Sequence, residues 1–155
     1  MQYKKVMRSL AFDVNDLLSY YIQVHDKAIE KAGTFSSLFR RVDFEELYNE
    51  AIKVLEAVSG KYDELNFFEE ENHGYMNEEE KRYLKCLLRF TEKLLETTKL
   101  LKERQRFLYD KSERKEGRRY KFDDYIHIDK LYQDSIKDYL EVGEELNDLN
   151  YIIVD

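Results

Sequence analysis

The sequence predicts an all-α protein, an antiparallel up-down-up-down four-helix bundle with long helices. Three observations predict it. Apolar residues recur at alternating spacings of three and four in four separate stretches, which is the spacing of helices packed nearly in line. Proline is absent and only five glycines occur in 155 residues, so the turn punctuation of sandwiches and barrels is missing. Hydrophobic residues make up 43% of the chain and charged residues 38%, enough for one sizeable core in a single domain over residues 1–155.

The strongest stretch runs from Asn77 to about Asp110. Leu84, Leu87, Thr91, Leu94, Thr98, Leu101, Gln105 and Leu108 hold the register of a bundle seam. Leu88, Leu95 and Tyr109 widen the stripe on one side, Tyr83 and Phe90 on the other, so this helix needs more than one neighbour. Asn77 and Glu80, three residues apart, spell a capping box at its start. Thr91 and Thr98 fall inside the seam, where each hydroxyl is expected to bond back to a carbonyl one turn earlier.

The first helix is expected over about 2–31, with Met7, Leu10, Val14, Leu17, Tyr21, Val24 and Ala28 in register and Gly33 as its stop. The connection over 34–42 is apolar for a loop, and Phe35, Leu38, Phe39 and Val42 are expected to fold over the open end of the core. The second helix opens at Asp43, with Glu46 three residues on, and continues through Phe44, Leu47, Ala51, Val54 and Val58. Leu65 and Phe68 keep that register only if the helix passes through Ser59-Gly60. A glycine inside a helix costs about 1 kcal/mol, which packing can override, so one helix is expected to about Glu70. Asn72-His73-Gly74 then turns the chain. The fourth helix starts near Phe122 and keeps register through Tyr125, Ile128, Tyr132, Ser135, Tyr139, Val142, Leu146, Leu149 and Ile153, almost to the last residue.

Helices of this size are rods of roughly 45 Å, and short connections make consecutive rods antiparallel. The competing arrangement is a homo-oligomer in which two long hairpins pair between chains. The thirteen tyrosines are expected at the edges of the core, rings inside and hydroxyls in water.

Charge is distributed unevenly along the chain. Residues 63–80 carry eight acidic and no basic side chains, and residues 122–155 carry ten acidic and two basic, whereas residues 99–121 carry ten basic and four acidic. The up-down arrangement would gather Arg40, Arg41, Lys111, Arg114, Lys115, Arg118 and Arg119 at one end, with Tyr120 among them as a stacking surface. These eight residues are the candidate binding site. A net charge of −7 opposes nonspecific nucleic-acid binding unless the acidic end points away.

Catalytic patterns are weaker. Glu70-x-x-His73 and Asp124-x-x-His127 have the spacing of bundle metal ligands, but no acid occupies a seam position of the first or third helix to complete a metal set. Glu145-x-x-Asp148 matches half of the magnesium pattern of all-α nucleotide pyrophosphohydrolases, while Glu45-Glu46-x-x-Asn49 lacks the other half. His25 sits at the core edge, and Cys86, the one cysteine, at a position away from the seam, where it reads as a bystander. No metal, no cofactor and no catalytic constellation are therefore expected. The chain begins Met-Gln-Tyr-Lys-Lys without an apolar signal segment and holds no run of 18 apolar residues, so no membrane association and a cytoplasmic location are expected. The expected function is non-enzymatic: a bundle mediating protein-protein interaction, as an adaptor, chaperone-like bundle or small subunit. The alternative is a nucleic-acid-associated protein using its basic end, and a third reading is a metal-dependent bundle enzyme.

Overall fold

The computed structural model describes residues 2–33, 42–113 and 122–154. Four long helices carry the fold: α1 (Gln2–Gly33), α2 (Phe44–Asn72), α3 (Glu78–Ser112) and α4 (Phe122–Asp148). No strand occurs among the described residues, and the protein is all-α.

Helix starts follow the local chemistry. Asp43 Oδ1 accepts a hydrogen bond from the Glu46 amide at 3.0 Å. At α3, Asn77 Oδ1 accepts from the Glu80 amide at 2.8 Å while Glu80 Oε1 accepts from the Asn77 amide at 2.9 Å, a complete capping box. Glu80 is buried in making it. Gly60 does not interrupt α2, which runs on through Leu65 to Asn72 because the buried side chains on either side of the glycine share one face. A short 3₁₀ turn, His73–Tyr75, then leads into the Asn77 cap.

α3 is the centre of the molecule. It buries fifteen residues, against five from α2, because α1, α2 and α4 all pack on it. Leu84, Leu87, Thr91, Leu94, Thr98, Leu101 and Gln105 are all fully buried. Thr91 Oγ1 donates to Leu87 O and Thr98 Oγ1 to Leu95 O, both at 2.8 Å, so these hydroxyls are satisfied without leaving the helix. Packing on three sides also corrects the reading of Cys86. It faces α4, not solvent, with Sγ 4.0 Å from Val142 O, and burial pushes the thiol pKa up.

The facing pairs between helices are specific. Tyr3 meets Phe68, Asp13 meets Lys61 and Lys27 meets Glu50 across α1 and α2. Tyr48 stacks on Tyr109 across α2 and α3. Cys86 with Val142, Phe90 with Tyr139, Thr97 with Ser135 and Arg104 with Asp129 pair α3 with α4.

Two further expectations are corrected. The fourth helix stops at Asp148, and a 3₁₀ turn, Asn150–Ile152, follows. Ile152, at the end of that turn, and Ile153, just after it, are both buried. The tyrosines are also deeper than expected. Tyr21, Tyr83 and Tyr132 are essentially inaccessible, and Tyr139 is buried, while Tyr75 and Tyr151 are exposed. No helix among the described residues is long and apolar enough to cross a membrane.

Candidate functional site

Between α1 and α4 the bundle is open over part of its length and closed over the rest. Bulk decides which. Where the facing residues are Ala11 and Asn15 on α1 and Gly143 and Asn147 on α4, a groove of about 610 Å³ separates the helices. Its floor is supplied by α3 through Tyr83, Leu87 and Phe90. The Phe90 ring lies so close to α4 that a Cβ on Gly143 would stand 3.2 Å from its Cε2. The lips carry Phe12, 65% exposed, and Leu140, 54% exposed. Both are large apolar side chains left far in water along one concave seam. Arg8, whose Nε donates to Ile153 O at 2.9 Å, closes one end of the groove.

Further along, rings replace small side chains and the seam shuts. Tyr21 of α1 packs edge-on against Tyr139 of α4, and Tyr21 Oη lies 2.6 Å from Tyr132 Oη. His25 Nδ1 lies 2.5 Å from the same Tyr132 oxygen. Burial lowers the His25 pKa, with Asp26 opposing and Arg104 reinforcing that shift. A neutral His25 accepting from Tyr132, with Tyr132 accepting from Tyr21, uses each hydroxyl proton once. Burial likewise holds both tyrosines well above the ordinary phenol range, so they remain donors at neutral pH. Tyr83 on the groove floor is pushed up to about 12 for the same reason.

Next to this chain of hydroxyls lies Arg104, only 3% exposed. Its Nε donates to Asp129 Oδ1 at 2.9 Å, Nη1 to Gln105 Oε1 at 2.6 Å and Nη2 to Tyr125 Oη at 2.7 Å. Its guanidinium carbon also stands 5.5 Å from the centroid of the Tyr125 ring. The arrangement fixes α4 against α3.

The sequence-predicted sites fare unevenly. Of the basic and aromatic cluster, Lys111 is exposed in the last turn of α3. Arg40, Arg41, Arg114, Lys115, Arg118, Arg119 and Tyr120 lie outside the described residues, as do Phe35, Leu38 and Phe39. His73 pairs with Glu69 at 2.8 Å, and Asp124 and His127 are exposed on α4. Glu145 pairs with Arg89 at 3.2 Å beside a small recess lined by Arg82, Lys85 and Asp148. Among the described residues no group of three or more His, Cys, Asp or Glu could hold a metal ion.

The groove draws part of its lining from a/d residues such as Val14, Leu87 and Tyr139, while its exposed lips lie outside that pattern. Phe12 and Leu140 are large apolar residues off that register, and an unexplained apolar residue on an outward position was the available signal. Comparison with protein-family models, with curated proteins and with solved structures found no match.

Proposed function

We propose that the protein is a non-enzymatic helical bundle that binds another protein, and that the α1–α4 groove receives an apolar-faced helix of that partner. The observation that carries this reading is the open seam itself, about 610 Å³ with Phe12 and Leu140 standing exposed at its lips. Its walls offer side chains and no sheet edge, so an occupant must satisfy its own backbone hydrogen bonds, which a helix does. The bundle we envisage is up-down-up-down. Support comes from facing pairs whose numbers run oppositely: Tyr3, Asp13 and Lys27 meet Phe68, Lys61 and Glu50, and Arg8, Tyr21 and His25 meet Ile153, Tyr139 and Tyr132. In that arrangement the partner helix would be a fifth rod beside α1 and α4.

Site-directed photo-crosslinking tests the reading. With p-benzoylphenylalanine in place of Phe12, cells expressing the protein should yield a discrete protein adduct. The same residue in place of Lys53, exposed on α2, should yield none. Equal labelling from both positions, or none from either, would refute the groove as the binding face.

A further inference from the structure

We infer that the closed end of the α1–α4 seam is a pH-sensitive latch: protonation of His25 breaks its hydrogen-bonded chain to Tyr132 and Tyr21, and α1 then draws away from α4 there. Tyr21 Oη lies 2.6 Å from Tyr132 Oη, and Tyr132 Oη lies 2.5 Å from His25 Nδ1. These two contacts hold two protons, one from each hydroxyl, provided that Nδ1 accepts. An imidazolium brings a third proton on Nδ1, and one hydroxyl proton is then left without an acceptor. Both tyrosines are essentially inaccessible, and their hydroxyls make no other polar contact among the described residues. The surplus proton therefore has neither solvent nor protein to turn to, and a stranded buried donor weighs against the closed seam. His25 itself is only partly buried, so protons from solvent reach its ring. Burial opposes the imidazolium most, Asp26 on α1 favours it, Arg104 on α3 opposes it and Asp129 on α4 favours it. Asp129 is already paired with Arg104 at 2.9 Å.

The rest of α1 is anchored elsewhere, so the helix tilts and does not leave. Tyr3 against Phe68, Asp13 with Lys61 and Lys27 with Glu50 hold it to α2 through groups other than His25. Towards α4 the closed end is joined by the hydroxyl chain and by two ring contacts, Tyr21 with Tyr139 and His25 with Tyr132, at centroid distances of 5.9 and 5.6 Å. Tyr139 belongs to both halves of the seam, because it also lines the groove. Parting Tyr21 from it extends the groove towards His25. Acidity thereby sets how much of the wall between α1 and α4 is open, whatever occupies it.

Two measurements on the full chain test this. Long-range proton–nitrogen NMR spectra of the His25 ring at pH 7.5 should show the neutral tautomer with its proton on Nε2, as an accepting Nδ1 requires. Spin labels at Gln23→Cys on α1 and Gln133→Cys on α4, both exposed positions, with Cys86→Ser, report the seam by double electron–electron resonance. Between pH 7.5 and 5.5 a longer distance should appear while helix content by circular dichroism holds. Its ratio to the shorter distance should rise by up to about tenfold per pH unit, the limit for a single proton. The same labels in His25→Gln, whose side chain accepts but does not titrate, should report one distance throughout. A proton on Nδ1 at pH 7.5 would overturn the proton count, and a distance indifferent to pH would overturn the latch. An equal change in His25→Gln would assign the response to other groups, and a change that accompanies loss of helix would be acid unfolding; either would overturn the inference. No partner enters these measurements, so their failure leaves the docking of a partner helix in the groove untouched.

Discussion

Replacing Arg104 with Met should cost about 3 kcal/mol of folding stability. The methionine keeps most of the apolar stem volume, so the loss is confined to the guanidinium and its partners. Three donors disappear: those to Asp129 Oδ1, Gln105 Oε1 and Tyr125 Oη. Gln105 is fully buried and its Nε2 already meets no partner among the described residues, so the change strands its carbonyl too. A stranded buried polar group costs about 1–3 kcal/mol, and a lost charged hydrogen bond about 1.5–3 kcal/mol. The Asp129 side chain is 33% exposed and regains water, which brings the sum down to about 3 kcal/mol. For a domain of this size the melting temperature should fall by roughly 6–12 °C. Circular dichroism melts and urea unfolding of the wild type and variant measure it. Asp129→Asn keeps the geometry and should cost only about 1 kcal/mol. The double variant Arg104→Met, Gln105→Met should be more stable than Arg104→Met alone, because removing both partners of a buried hydrogen bond leaves no orphan. A loss below about 0.5 kcal/mol for Arg104→Met, with no recovery in the double variant, would refute the buried network.

Three other outcomes follow from the same packing. Gly60→Ala should stabilise the protein by up to about 1 kcal/mol, read as a rise in melting temperature, because a Cβ there meets nothing within 4 Å and the helix gains propensity. Thr98→Val should be neutral or mildly stabilising while Leu94→Ala costs about 2–5 kcal/mol by urea unfolding, since one removes a locally satisfied hydroxyl and the other leaves a cavity. Stability should fall as pH drops below about 6.5, because the unfolded chain protonates His25 at its ordinary value whereas burial lowers that value in the folded state. Urea midpoints at pH 7.5 and 5.5 should therefore differ less in His25→Gln than in the wild type.

The helices were legible because their signal is local and periodic. The α3 register and its capping box, the passage of α2 through Gly60, and the inward hydroxyls of Thr91 and Thr98 all follow from spacing along one segment. What stayed hidden depends on how many neighbours a helix has. Cys86 and Thr97 lie outside the a/d seam, yet both are buried, since α4 packs on a second side of α3. Arg104 looked like one more base in a basic stretch, and only the approach of Tyr125 and Asp129 from α4 makes it a core residue. The groove needed the structure for the same reason. Ala11 and Gly143 are unremarkable alone, and their consequence appears only when α1 and α4 stand opposite one another above Phe90.

The central claim, that a partner helix seats between α1 and α4, is tested most directly by backbone amide NMR of the full chain titrated with an 18-residue amphipathic helical peptide that carries a leucine stripe. The account predicts shifts concentrated on residues 8–18 of α1 and 139–154 of α4, with the exposed faces of α2 unmoved. Shifts centred on α2, or spread evenly over the acidic surface without a maximum at the groove, would contradict it.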